Sequence, residues 1–416
     1  MSNKLYGPFA QIITMQGMPL HGALQDEQLH IVEKGGILCD KNGKIRDIGN
    51  YEAFLQSEID TEFIRMPEET VAVPGFIDSH THICFAGNRA ADFAMRLNGK
   101  SYLEIAETGG GIWRSVMHTR QASTQQLAAL TQYRADRLLQ QGVTTIEVKS
   151  GYALDDVNEL KMLHAIQLAN DAVAADLVPT FLGAHIKPKD FEGTQQEYLD
   201  FLLEKVIPVI VEEHLCQRID IFVEQSAFGI EESKTYLYKL KEMGFDITVH
   251  ADQFTTGGSA LAVELGAVSA DHLEASGEQE IAILANSDTV ATALPGASMG
   301  LGEPWTPARK LLDAGAILAI ASDWNPGSAP MGNLLTQASV LAAYEKLSTA
   351  EVLAGITYRA AHALRLEDRG RLKEGCKADF AVFQGSHYGE ILYNQGMLLP
   401  KWVVKNGQLV VGKALE

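Results

Sequence analysis

Gly75-Phe76-Ile77-Asp78-Ser79-His80-Thr81-His82, preceded by Val71-Ala72-Val73-Pro74, is the stretch on which the reading of this chain turns. Its β-branched and apolar residues predict one buried strand running into the histidines. Side chains alternate between faces along a strand, so His80 and His82 share a face. Two imidazoles on one face at the end of a buried strand make half of a metal site. The plainer alternative is a chance His-x-His pair on a surface, and the rest of the chain has to decide between them.

Downstream of this stretch, strand-like and helix-like segments alternate to about Leu366. Further strands are predicted at 143–148, 177–182, 219–223, 246–249, 268–271, 289–294 and 317–321. Between them Ser123 and Gln126 form a capping-box signal, while Gly142 and Gly244 mark helix ends. Gly109-Gly110-Gly111 is not a phosphate loop, because no Lys-Ser or Lys-Thr follows; a tightly turned or mobile active-site loop fits better. Eight strands alternating with helices imply an α/β fold with a closed (β/α)8 TIM-type barrel over residues 71–366, an open doubly wound sheet being the alternative.

The two ends read differently. Short strands are expected at 12–14, 36–39 and 44–48, with Asn42-Gly43 turning between two of them. Others fall at 379–383, 402–404 and 408–411, with Asn406-Gly407 before the last. Neither end can bury a core alone. Residues 1–70 and 367–416 are therefore expected to meet in one small β-sandwich domain.

Composition narrows the function. The chain has 416 residues, 46% hydrophobic and 21% charged, the balance of a globular enzyme. Its net charge of −19 and lack of any basic run speak against nucleic acid as a partner. No apolar run approaches the ~18 residues a membrane span needs, and the N-terminus lacks the features of a signal peptide. A cytoplasmic protein with no membrane partner is expected. The cysteines Cys39, Cys84, Cys216 and Cys376 are scattered, which suggests neither a disulfide framework nor a thiolate metal site. Cys84, two residues past His82, reads better as a buried inert thiol than as a ligand. An acidic protein that takes an anionic substrate must place a specific cation to receive it.

The ionisable residues gather at the carboxyl ends of different predicted strands. His80 and His82 end the first, His185 the third, His250 the fifth, His272 the sixth and Asp323 the eighth. In a barrel these ends converge on one mouth, where active sites lie. A half-buried histidine bonded to a backbone carbonyl is common, so no single one is informative. Five histidines and an aspartate at equivalent ends are hard to assign to coincidence.

With these residues in view the chain resembles the amidohydrolase superfamily, and within it the family that opens imidazolone rings. The resemblance rests on Pro74 to His82, Glu147-Val148-Lys149-Ser150-Gly151-Tyr152, Leu182-Gly183-Ala184-His185 and His250-Ala251-Asp252. It continues through Ser269-Ala270-Asp271-His272-Leu273, Ser322-Asp323-Trp324-Asn325-Pro326-Gly327-Ser328 and Gly375-Cys376-Lys377-Ala378-Asp379-Phe380. It implies hydrolysis of 4-imidazolone-5-propanoate to N-formimidoyl-L-glutamate, a step of histidine breakdown, by a homodimer. It implies one divalent or trivalent metal ion, zinc or iron, on His80, His82, His250 and Asp323. Two-metal relatives often use a carboxylated lysine at the end of strand four, where this chain has Glu224.

On this reading Asp323 can hold or shuttle a proton, and His272 is placed to polarise the ring carbonyl or to stabilise the oxyanion. Arg89 would receive the propanoate tail, with Tyr102 and His185 beside it. Tyr152, Asn325, Gly327 and Ser328 would contact ring or product. Many members carry glutamate where this chain has Gln253. Glutamine cannot take up a proton, so Gln253 is expected to orient ring or water while proton transfer falls to Asp323 and His272. The rival readings are a related mononuclear hydrolase or deaminase acting on another nitrogen heterocycle, and a non-catalytic scaffold that has kept the fold.

Overall fold

The computed structural model describes residues 2–57, 61–100, 104 and 109–414. In chain order its strands are β1 (Asn3–Ile13), β2 (Ile31–Cys39), β3 (Ile45–Asn50), β4 (Thr61–Arg65), β5 (Thr70–Pro74), β6 (Phe76–Asp78), β7 (Val143–Lys149) and β8 (Asp176–Ala184). There follow β9 (Arg218–Phe222), β10 (Asp246–Ala251), β11 (Ser269–His272), β12 (Val290–Ala293), β13 (Leu318–Ile320), β14 (Phe380–Gln384), β15 (Trp402–Lys405) and β16 (Gln408–Val411).

Strands β6 to β13 form one eight-stranded sheet, paired in sequence order with parallel neighbours. The seam between first and last strand is joined at its carboxyl end. The amide of Asp323 donates to the His80 carbonyl at 3.0 Å, and the amide of His82 donates to the Trp324 carbonyl at 3.0 Å. This closure sets three of the expected site residues against one another. The doubly wound alternative is excluded, and the seven strands predicted after the first lie within a few residues of their expected places.

The other sheet takes strands from both ends of the chain, in the order β16-β15-β14-β5-β1-β2-β3, with β4 beside β1. The sandwich expected there is, in its hydrogen bonding, one continuous mixed sheet. Phe380 packs edge-on to Tyr6 and Phe9 in its core, at ring separations of 5.3 and 6.3 Å. Asn406 and Gly407 both take positive φ, 49° and 68°, as a two-residue hairpin requires. The Asn42-Gly43 turn is wider than that. Asp40 accepts from the amides of Asn42 and Lys44, at 2.9 and 2.8 Å, and shapes the longer loop.

The opening stretch is two strands rather than one. Val71 to Val73 lie in β5, paired with β1 and β14 in the small sheet. The barrel begins only at β6. Gly75 makes the step between sheets, and a Cβ there would stand 2.4 Å from the Thr144 hydroxyl. Periodicity could not show this division, because both halves are wholly buried.

A charged cluster ties the two sheets together at the amino-terminal end of the barrel. Asp176, which opens β8, meets Lys405 at 2.9 Å, Lys377 at 3.0 Å and Arg369. Lys405 also holds Asp379 at 2.6 Å. Burial alone would raise the Asp176 carboxyl, but Lys405 and Arg369 outweigh it and hold it well below the usual carboxylate range. A depressed folded-state pKa contributes stability that is present above the ordinary value of ~3.9 and is lost as pH falls through the folded value. Asp176→Asn should lower the free energy of unfolding by about 2 kcal/mol at neutral pH, discounted for partial exposure. Urea denaturation reads this, and an unchanged midpoint would mean the cluster does not join the domains.

Candidate metal centre and active site

Three imidazoles meet at the carboxyl end of the barrel. His80 and His82 follow β6, His250 lies near the end of β10, and all three are buried. The Nε2 atom of His82 lies 3.2 Å from that of His80 and 3.3 Å from that of His250. Nδ1 of His80 donates to Asp271 Oδ2 at 2.7 Å. Nδ1 of His250 faces Asp220 Oδ2 at 2.9 Å, close but poorly aligned. A carboxylate only accepts, so the proton of each of these rings sits on Nδ1 and a bare Nε2 lone pair points inward.

Burial, with the neighbouring imidazoles and Lys149, depresses the His80 and His82 pKa values well below normal. Burial also lowers His250 to about 4, against the opposing pull of Asp220. All three are therefore neutral at pH 7, the form that binds metal. His82 has no Nδ1 partner among the described residues, so in the absence of a cation its Nε2 can carry a proton toward the other two nitrogens, and a bound cation would take that proton's place. Nitrogens bound to one tetrahedral ion at about 2.0–2.1 Å lie roughly 3.3 Å apart, and the observed separations match. His80, His82 and His250 form a group that can hold a metal ion.

Asp323 flanks this group. Its Oδ1 lies 3.4 Å from His82 Nε2 and 3.7 Å from His80 Nε2, while its Oδ2 accepts from Asn325 Nδ2 at 2.8 Å. Burial pushes its carboxyl up to about 7, and a cation at the imidazoles would pull the other way. His272 stands beside the cluster, with ring centres 5.2 Å from His250 and 5.9 Å from His80. Burial by itself would lower the His272 pKa, but Glu274, Asp323 and Asp271 together raise it. Its backbone is held at φ 90°, and Leu273 follows at 71°. Two successive non-glycine residues in that region cost roughly 1–3 kcal/mol each, which surrounding packing must offset.

Beneath the imidazoles lies a layer that the sequence reading did not single out. Lys149 is fully buried inside the barrel, 2.7 Å from Glu147 and 2.8 Å from Asp220. Burial would raise the Asp220 carboxyl, but His250 and Lys149 reverse that and keep it ionised. Asp220 also accepts the His250 amide at 3.2 Å, so it holds that residue at two points. Carboxylates that orient metal-bound histidines typically matter 10- to 100-fold in affinity. Asp220→Asn should weaken zinc binding by about that factor, measured by competition with a chelator. Unaltered affinity would remove Asp220 from the support of His250.

Above the imidazoles opens a cavity of about 770 Å³. His82, His185, His250, His272, Asp323, Tyr152, Gln253, Asn325, Ser328 and Arg89 all line it. His185 donates from Nδ1 to the Gly151 carbonyl at 2.9 Å and stacks on His82 with ring centres 5.5 Å apart. Gly327 lies against Arg89, whose Nη1 would be 2.3 Å from a Cβ at that position. Tyr102 lies outside the described residues. Arg89 donates from Nε to Asp92 Oδ2 at 3.0 Å, which fixes the guanidinium from behind. Asp92 also accepts the Gly111 amide at 2.8 Å, so the glycine loop is turned onto the same buried carboxylate.

Glu224 does not stand in for a bridging ligand. One of its oxygens accepts the amides of Phe254 and Thr255 at 3.0 Å each, and the other accepts the Gln225 amide at 2.9 Å. It shapes the loop that brings Gln253 to the cavity. Cys84 is buried with Sγ directed at the Met162 carbonyl, 3.8 Å away, and is not part of the imidazole cluster.

The sequence model of the amidohydrolase family matches residues 71–411. The imidazolonepropionase of Bacillus cytotoxicus is 39% identical over 98% of this chain and 97% of its own length. The chain belongs to the amidohydrolase family, and within it to the imidazolonepropionases. The corresponding protein of Clostridium tetani is 36% identical over 97% of both chains. Among solved amidohydrolase-fold structures, a triazine hydrolase variant superposes with a TM-score of 0.74 at 18% identity, covering 99% of this chain and 95% of that one. A zinc-bound adenosine deaminase from Xanthomonas campestris gives 0.70 at 15% identity, over 99% and 93%. At such identities these structural likenesses speak for the fold alone.

Proposed function

We propose that this amidohydrolase opens the ring of 4-imidazolone-5-propanoate with water, giving N-formimidoyl-L-glutamate. The observation that carries the reading is a shared cavity: a buttressed arginine, Arg89, opens onto the same space as the three-imidazole cluster. In a chain of net charge −19 a cation so placed is fitted to an anionic tail. The imidazolonepropionases it matches along nearly its whole length support the same substrate. The complete donor set argues against a scaffold that has lost its chemistry.

One zinc or iron ion, held by His80, His82, His250 and Asp323, would supply acidification of water from a pKa of 15.7 toward ~7. The remaining work falls to the protein. Arg89 grips the tail carboxylate through its free edge, the other edge being committed to Asp92. Tyr152 and His185 wall the ring, and Tyr102 is assigned beside the tail. Asn325, Gly327 and Ser328 contact ring or product. Gln253 orients ring or water through hydrogen bonds without changing charge.

Asp323 takes the proton of the attacking water. His272 faces the carbonyl oxygen and stabilises the charge that gathers there. The water oxygen joins the carbonyl carbon, the carbon–nitrogen bond breaks, and a proton passes to the leaving nitrogen. Among the described residues no helix is long and apolar enough to cross a membrane. The reading is of a cytoplasmic homodimer, which gel filtration tests.

Loss of the imidazolone ultraviolet absorbance is the direct assay. In it Arg89→Met should raise KM by ~10²-fold and change kcat by less than ~3-fold, because a truncated charge contact costs about 3 kcal/mol. An unmoved KM would remove Arg89 from the tail site.

A further inference from the structure

The turn after β13 joins two parts of the site that chemistry keeps separate. At one end Asp323 turns Oδ1 toward His80 and His82. Its Oδ2 is fixed by Asn325 Nδ2 at 2.8 Å. Oδ1 of Asn325 in turn accepts the amides of Gly327 and Ser328, at 2.7 and 2.8 Å. At the far end the bare face of Gly327 meets Arg89. One short turn thus carries both the carboxylate at the imidazoles and the floor of the tail pocket.

This turn is held from outside by Arg96, whose Nη2 donates to the Gly327 carbonyl at 2.9 Å. Arg96 sits on the helix Ala90–Leu97, immediately after Arg89, and lines the same cavity. Its setting is unusual for a surface arginine. Asp92, the acid whose charge acts on Arg96, is committed to Arg89 at 3.0 Å, to Arg114 at 3.1 Å and to the Gly111 amide. Arg96 is left without an ion pair among the described residues, and its buried Nε has no partner. Burial and the neighbouring Arg89 disfavour its charge, and Asp92 offsets this only in part. A guanidinium kept there against such costs, with its firmest bond to one carbonyl, serves that carbonyl.

We infer that Arg96 is a positioning residue: by pinning the Gly327 carbonyl it fixes the turn of residues 323–328 and so the orientation of the Asp323 carboxylate toward the metal. The tail pocket and the metal site then share one rigid support. Both arginines meet the turn at Gly327, but substitution of Arg96 frees a hydrogen-bonded carbonyl and so the backbone that carries Asp323, whereas substitution of Arg89 removes only a packing contact. The kinetic side of this inference rests on the proposed reaction; the metal-binding side does not.

The test compares Arg96→Met, Arg96→Lys and Arg89→Met with the parent protein. Zinc affinity is measured by chelator competition, and kcat and KM by loss of imidazolone absorbance. Arg96→Met should weaken zinc binding ~10-fold, within the range for residues that orient a ligand. It should lower kcat by a similar factor with KM inside ~3-fold. Arg96→Lys should recover much of both, since an ammonium can donate to the same carbonyl. Arg89→Met should leave zinc affinity unchanged. Arg96 is half-buried on a surface helix, and equal melting temperatures for all forms without metal establish that the changes are local. Zinc affinity in Arg96→Met equal to the parent's overturns the inference, as does a rise in KM alone, which would make Arg96 a second tail cation. If no form consumes the imidazolone, the proposed reaction fails while the zinc comparison still decides the role of Arg96.

Discussion

Metal-free protein should hydrolyse imidazolone at least ~10⁴-fold more slowly than the loaded form, and added zinc or iron should restore the rate. The expectation follows from what would remain. A lone general base contributes ~10²–10⁴-fold by itself, and among the described residues no second cluster of metal-binding side chains is present. The three inward nitrogens make a further consequence testable without substrate. They converge within 3.2–3.3 Å, the spacing at which one cation can bind them together. Metal should therefore raise the melting temperature, by the equivalent of about 4 kcal/mol at a thousandfold excess over the dissociation constant. His82→Ala removes the nitrogen common to both contacts and should abolish metal binding and most of the thermal shift. Full turnover in protein shown by elemental analysis to be free of metal would end the metal-dependent reading of this site.

The barrel was legible because its strands are short apolar runs set at helix-length intervals, and their carboxyl ends carry the histidines. That pattern survives any local error, since a strand displaced by two residues still delivers its side chain to the same mouth. The break at Gly75 was not legible. Val71 to Val73 are equally content in either sheet, and the choice is made by pairing with β14, some three hundred residues away.

The carboxylates below the site were present as a signal that went unread. Asp220 lies between Ile219 and Ile221, and Asp271 stands inside a buried strand before His272. A charge that no surface can claim needs a partner, and here the partners are the imidazoles and Lys149. Arg96 and Asp92 gave no such sign. They are the two charged residues of a short, otherwise apolar helix until the turn of residues 323–328 folds against them. Nor can sequence disclose that His272 and Asp323 occupy left-handed backbone, since only tertiary contacts hold non-glycine residues there.

That strained backbone is where the second large effect is expected. His272→Ala should lower kcat ~10³-fold while metal content and KM stay near those of the parent. The geometry separates the two quantities. His272 stands beside the metal cluster without belonging to the three nitrogens that converge, and its carbonyl accepts the Thr306 hydroxyl, so the backbone position is held independently of the ring. Alanine removes the imidazole and leaves the strand end in place. The neighbours Glu274, Asp323 and Asp271 favour the protonated ring, which can donate from Nδ1 toward Glu274 and still offer Nε2–H to an oxygen gaining negative charge. Loss of one such donor typically costs 10²–10³-fold in kcat, and removal of a proton-transferring group costs a similar amount. His272→Asn retains a donor and should recover part of the loss, whereas His272→Phe fills the space without one and should not. If alanine and asparagine are equally active, and both are near the parent, the ring does not touch the reacting carbonyl. The oxyanion must then be stabilised from elsewhere in the cavity.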